Sequence, residues 1–115
     1  MSSYERAVEL AALLEAAGIT ATVDPRAATP PCVLIPPPER VYDVACGYTA
    51  RWQPVVLVPG IGNADAHKQL DELVDAVTVV LPYVERATLI SYVLSQDAPS
   101  VPAYRLEFSE TGGDT

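Results

Sequence analysis

The segment from Arg51 to Pro82 limits the possible folds most, because a strand pattern leads directly into a one-sided helix. Four apolar residues, Val55 to Val58, predict a short strand that ends at Pro59-Gly60. Apolar residues then recur at spacings of three and four, which places one set on a single helix face: Leu70, Leu73, Val74, Val77, Val80 and Leu81. Asn63 is the predicted helix cap, and Pro82 is the predicted end. A strand that delivers such a helix onto its own sheet predicts a small α+β domain.

The rest of the chain adds a second helix and further short strands. Ser2 and Glu5 have the spacing of a capping box, so a helix is predicted to start there. It should run to about Ala17, where Gly18 can end it. The predicted strands cover 19–24, 32–35, 41–48, 51–58, 88–94 and 104–108. The arms 41–48 and 51–58 form a predicted hairpin with Gly47 to Ala50 near its turn, and Pro54 indicates an edge or a bulge.

These elements predict the order α-β-β-β-β-α-β-β. Two helices serving about five to six strands favour a mixed or antiparallel sheet with both helices packed on one face. At 115 residues the chain has room for one core, so residues 1–108 are predicted to form a single α+β domain. Residues 109–115 are expected to be a flexible C-terminal tail.

Charge and composition exclude several classes of function. The net charge is −8, and the seven basic residues are scattered singly, which argues against tight binding of DNA or RNA. No apolar run approaches the ~20 residues that span a bilayer, and the N-terminal segment lacks the features of a signal peptide. We therefore expect a protein made and kept in the cytoplasm, with Cys32 and Cys46 as buried, reduced thiols.

The clearest candidate for a ligand site is the turn from Gly60 to Asp65, between the central strand and its helix. A dinucleotide fingerprint would lie here, but Asp65 replaces its third glycine and would repel a pyrophosphate. A small nucleotide- or metabolite-binding domain that uses this turn is kept as an alternative. His67 and Asp71 could meet on one helix face, but two such residues do not make a zinc site. We predict no enzyme, and no catalytic, cofactor-binding or metal-binding residues.

Aromatic residues and prolines mark a possible interface. Tyr42, Tyr48 and Trp52 fall on the predicted hairpin, and the stiff segment Pro36-Pro37-Pro38 precedes it. Exposed aromatics on a hairpin are typical of protein interfaces, whereas the same residues could instead cap the core of a small domain. The prolines could likewise be a rigid loop or a docking surface. The interface hypothesis expects Trp52→Ala to spare the fold and to weaken assembly.

Several short patterns together resemble one family. They are Ala17-Gly18-Ile19 after the first helix, Val23-Asp24-Pro25, the segment Pro31 to Pro38, Val58-Pro59-Gly60 with Asn63-Ala64, the helix containing Leu70, and Val101 to Leu106. The chain resembles the tail terminator proteins of long-tailed bacteriophages, the lambda-type family, and above all those of actinobacterial phages. The neighbouring head–tail connector families share a related α+β design.

The resemblance implies a structural role without catalysis. Tail terminators form a hexameric ring at the head-proximal end of the tail tube, stop its growth and present a surface to the head–tail connector or stopper. The implied partners are further copies of the chain, the tail tube protein and that connector, with DNA passing through the lumen without specific binding. The implied location is the virion, after synthesis in the bacterial cytoplasm.

Overall fold

The computed structural model describes residues 2–43, 47–59, 64–81, 83–93 and 100–112. Within these ranges the elements are α1 (Ser3–Ala16), β1 (Ala21–Thr22), β2 (Cys32–Leu34), β3 (Glu39–Asp43), β4 (Gly47–Trp52), β5 (Val55–Leu57), α2 (Ala64–Val80), β6 (Arg86–Tyr92) and β7 (Val101–Gly112). The predicted α+β class is confirmed: in the described residues two α-helices and one 3-10 turn (Pro25–Ala27) accompany a mixed sheet, in which β1 and β2 are the parallel pair. One more strand is present than predicted, because the arm 51–58 is split into two.

The first helix forms as its sequence predicts. The backbone N–H of Glu5 donates to the Ser2 hydroxyl at 3.1 Å, and the Ser2 N–H donates to the Glu5 carboxylate at 3.3 Å, which completes the capping box. Gly18 follows the helix with a φ of 84°, a left-handed conformation that glycine adopts without strain. Both described helices are too short or too polar to cross a membrane.

The second helix buries one face, as its spacing predicts. Leu70, Val77 and Leu81 are buried, although Leu81 lies one residue beyond the helix end. Leu73, Val74 and Val80 are half-buried and pack against the same core. The predicted cap Asn63 and the predicted stop Pro82 lie outside the described residues.

The strands β2 to β5 form one long hairpin that prolines interrupt on both arms. Glu39 pairs with Arg51 on the tip side of the prolines, and Leu34 pairs with Val55 on their other side. Pro36 to Pro38 lie opposite Gln53-Pro54, and the triple-proline arm has one residue more between these pairs than the arm opposite. The prediction that Gly47 to Ala50 lie near the turn holds for Gly47, which pairs with Asp43 at the tip, and is wrong for Thr49 and Ala50, which pair further along β4.

Pro54 lies between β4 and β5, and both of these strands have a partner on each side. The prediction that the arm 51–58 is an edge or has a bulge at Pro54 is therefore also wrong. The Pro54 carbonyl accepts from the N–H of Leu106 at 2.8 Å, which keeps the register toward β7. The pairs Trp52–Phe108 and Val55–Arg105 lie on either side in that same register. Since proline has no N–H, one ladder bond is missing and the arm divides into β4 and β5.

The strand β7 joins the two parts of the sheet. It pairs with β5 and β4 along one side, and with β6 along the other side from Val101 to Glu107. The prediction of a flexible tail from residue 109 is wrong for residues 109–112, because Ser109 pairs with Arg51 and Glu110 pairs with Ala50. Residues 113–115 lie outside the described part of the chain.

Both helices pack on the same sheet face. The main core joins Leu10 and Leu14 of α1 and Leu70 and Val77 of α2 to the sheet, through residues that include Val33, Val56, Leu106 and Phe108. The opposite face carries a second cluster, which contains no residue of the described helices: Cys32, Leu34, Val55, Leu57 and Ala103. Side-chain alternation along the strands separates the two clusters.

Candidate assembly surface

Trp52 is buried, so its assignment to an interface is wrong. Its side chain is 1% exposed and stacks on Phe108, with ring centroids 6.4 Å apart and ring planes inclined by 21°. The neighbouring Arg51 points to the opposite face of the sheet, where it reaches Glu107. Trp52 therefore belongs to the helix-covered core, which is the other reading that the sequence left open.

Tyr42 and Tyr48 do come together near the hairpin tip. They are partners across β3 and β4, and their ring centroids lie 5.6 Å apart. Tyr42 is 68% exposed, whereas Tyr48 is half-buried beneath α1. Arg40 lies over the Tyr48 ring at 4.8 Å and donates to the Ser3 hydroxyl at 2.8 Å. These contacts fix the tip of the hairpin against the first turn of α1.

The triple proline forms one wall of a small apolar groove. Pro37 is exposed, and Pro36 and Pro38 are half-buried. The groove has a volume of about 110 Å³ and is lined by Ser3, Tyr4, Ala7, Val23, Ile35, Pro37 and Pro38. Tyr4 is 68% exposed at its rim. Because proline lacks an N–H, this segment offers ring carbons instead of hydrogen-bond donors.

Strand β3 is an edge of the sheet, since in the described residues it pairs with β4 alone. Val41 is 57% exposed on this edge strand, next to Tyr42. We define the hairpin surface as Tyr4, Pro37, Pro38, Val41 and Tyr42, with Tyr42 on the helix side of the edge strand and Val41 on its other face. Exposed apolar and aromatic groups beside an open strand edge are typical of surfaces that bind another protein chain.

Sequence patterns identify part of this surface. The prolines and Tyr42 were predicted, whereas Tyr4 and Val41 were missed. Val41 had a usable signal, because it alternates with Arg40 and Tyr42 in a strand that follows three prolines. Tyr4 had none, because its position beside the prolines depends on how α1 docks against the hairpin.

The sheet face without helices carries a second polar group of residues. Glu107 is buried there, and Gln53 Nε2 donates to its carboxylate at 3.2 Å. Arg51 and Arg86 approach the same carboxylate at 3.3 and 3.8 Å. Burial opposes ionisation of Glu107, but the Gln53 hydrogen bond and the two guanidinium charges outweigh it, so the pKa of this carboxyl is lowered. Arg105 lies alongside on this face, and its Nε is buried without a hydrogen-bond partner among the described residues.

The other residues considered as ligands or reactive groups are not brought together into a site within the described ranges. His67 and Asp71 lie 3.6 Å apart and are both exposed, at 74% and 59%. Within the described ranges no three His, Cys, Asp or Glu side chains are grouped so that they could hold a metal ion. Residues 60–63 of the proposed ligand turn, and Cys46, lie outside those ranges. Cys32 is buried as a free thiol, and its burial raises the pKa of the sulfur.

Comparison of the chain with protein-family models, with curated proteins and with solved structures gives no significant match.

Proposed function

We propose that this chain is a structural protein of a long-tailed phage, a tail terminator that assembles into a ring and caps the head-proximal end of the tail tube. The observation that carries the proposal is the hairpin surface, where Val41 and Tyr42 are 57% and 68% exposed on an open edge strand. The family resemblance supplies the kind of assembly. The activity is geometric, and no bond is made or broken.

The hairpin surface suits a contact with another chain for two physical reasons. Its aromatic and proline groups gain by leaving water, and few of them lose rotamer freedom when they are covered, because the prolines are already rigid. The unpaired edge of β3 can add main-chain hydrogen bonds. In the proposed particle the partners of the chain as a whole are further copies of itself, the tail tube protein and the head–tail connector or stopper.

The charge of the chain fits the passage of DNA through such a ring. A net charge of −8 repels a phosphate backbone, so a lumen lined by acidic side chains would let DNA pass without holding it. The proposed location is the neck of the virion, after synthesis in the cytoplasm of the bacterial host.

The proposal is tested with tubes assembled from the tail tube protein encoded in the same genome. The purified chain is added, and negative-stain microscopy records rings and their position on the tubes. We expect a ring at one end of each tube and an arrest of further growth. Tubes that keep growing with bare ends, or a chain that binds a connector but never a tube, would contradict the terminator assignment.

Two variants separate the hairpin surface from the rest of the exterior. Val41→Ser with Tyr42→Ser is expected to abolish capping, because it removes the exposed apolar groups of the edge strand. Leu89→Ser is the matched control, since Leu89 is 63% exposed on β6, which lies on the other side of β7 from the hairpin. If both variants fold but neither caps tubes, the effect comes from losing exposed apolar surface in general and not from the hairpin.

A further inference from the structure

Three of the seven basic residues of this acidic protein lie on one face of the sheet. They are Arg51, Arg86 and Arg105, and the face is the one without helices. Among the side chains that the structure describes, two acidic ones lie across from or beside them: Glu107, which is buried, and Glu39, the strand partner of Arg51. The face therefore keeps an excess of guanidinium groups.

The arginines on this face are not fully neutralised by their own neighbours. Arg51 and Arg86 share the single Glu107 carboxylate, and their side chains remain 45% and 70% exposed. Arg105 has a buried Nε with no partner among the described residues. A guanidinium prefers a planar, two-point contact with a carboxylate, so the exposed groups of Arg51 and Arg86 can still donate to carboxylates from outside.

The opposite side of the molecule carries the complementary charge. The outer surface of α2 exposes Asp65, Asp71, Glu72 and Asp75 against one lysine, Lys68. Its buried residues Ala66, Leu70 and Val77 face the sheet, so these acids point away from it. Glu72 and Asp75 are three residues apart and thus neighbours on the helix surface, as Arg51 and Arg86 are neighbours around Glu107.

We propose that the arginine face of one copy docks on the acidic outer surface of α2 of the next copy. Because the two surfaces lie on opposite sides of one chain, the contact is head-to-tail, and repeating it gives a ring if the rotation closes. The contact rests on the proposed function and names the two surfaces that join ring neighbours. It leaves the helix-side part of the hairpin surface, which is Tyr4, Pro37, Pro38 and Tyr42, for the tail tube or the connector.

The test reverses the charge of each surface separately. The first variant combines Arg51→Glu and Arg86→Glu with Glu107→Gln, so that the new carboxylates do not lie against the buried one. The second combines Glu72→Lys with Asp75→Lys. Each variant alone places like charges against each other, and we expect association to weaken on the order of 100-fold in analytical ultracentrifugation.

Mixing the two variants gives the decisive sample. In a head-to-tail contact, the reversed sheet face of the first fits the reversed α2 of the second, and the two unchanged surfaces also fit. An equimolar mixture should therefore regain association, in alternating copies. The wild-type contact should weaken as NaCl is raised from about 50 mM to about 500 mM. Glu9→Lys with Glu15→Lys makes the same change in net charge as the second variant, but on α1, and should leave association unaltered.

Several results would overturn the contact. They are a wild-type chain that stays monomeric up to about 1 mM, variants that associate like wild type, and a folded mixture that stays monomeric. A short DNA duplex or an acidic protein bound by the arginine face, without self-association, would also overturn it. If rings still form after charge reversal, the proposed contact is refuted, but the proposed function is not. Restored association without any capping of tubes removes the proposed function and leaves this contact.

Discussion

Trp52 illustrates how a single residue is misplaced when only the chain order is known. Alternation puts Trp52 and Arg51 on opposite faces of β4, but it does not say which face the helices cover. The pairing with Phe108 settles this, and it involves a strand 56 positions later in the chain. The indole Nε1 is buried without a hydrogen-bond partner among the described residues, so apolar packing has to outweigh that loss.

Trp52→Ala is expected to lower the free energy of unfolding by about 3–5 kcal/mol, because it leaves a cavity beside Phe108. Tyr42→Ala, at an exposed site, should change it by no more than about 0.5 kcal/mol. Urea unfolding followed by circular dichroism measures both. Equal stability of Trp52→Ala and wild type would show that the Trp52 side chain is not packed in the core.

Glu107 predicts a specific dependence of stability on pH. Its pKa is lowered from 4.5 in the folded state, so its charged form stabilises the fold above that pH. The contribution is lost as the pH falls through the folded-state value. Wild type should therefore be more stable than Glu107→Gln at about pH 7, and the difference should shrink at about pH 3. Urea titrations of both proteins give the difference, and a gap that stays constant with pH would show that the carboxylate charge is not its source.

Among the elements, the helices were predicted more accurately than the strands. Capping and three-four spacing are local signals, and α1 and α2 follow them closely. Strand boundaries depend on distant partners. The arm 51–58 divides at Pro54, and β7 continues to Gly112 because β4 lies beside it. The polar end of β7, Ser109 to Gly112, has the composition of a tail and is ordered by its pairing.

The end of β7 is also held by an ion pair to α1. Arg6 Nε and Nη2 donate to the two Glu110 oxygens at 3.0 and 2.6 Å, a two-point contact between half-buried side chains. Arg6→Ala should speed amide hydrogen exchange in residues 109–112, since it frees Glu110. Glu9→Ala is the control, because Glu9 contacts the same arginine on the α1 surface. Unchanged exchange in Arg6→Ala would mean that pairing with β4 alone orders this segment.

For the molecule as a whole, the class was predictable and the shape was not. The counts of helices and strands led to the α+β class, and the prolines with Tyr42 marked part of the candidate surface. The docking of α1 against the hairpin, which brings Tyr4 beside Pro37, follows from tertiary packing that no local pattern encodes.

The dimensions of one copy give a test of assembly in solution. The radius of gyration is 14.5 Å, above the roughly 13 Å of a compact chain of this length, in keeping with extents of 48 × 31 × 22 Å. Small-angle X-ray scattering should give a value near 14.5 Å at high dilution and a much larger one once rings form. A value that stays near that of the monomer up to about 1 mM would contradict self-association in solution, and with it the contact between the arginine face and α2.

The proline interruptions decide how the molecule transmits a mechanical load. Pro36 to Pro38 and Pro54 break the ladder between the two arms of the hairpin at the same level. Within the described residues, β7 alone crosses that level as an unbroken strand, and the Arg6–Glu110 pair ties its far end to α1. A pull or tilt at the tip therefore reaches the helix-covered body through one continuous strand ladder, that of β7, and through α1, while the described residues of the two arms cross this level without hydrogen bonds to each other. A protein seated between two differently shaped neighbours would bend most easily at this level.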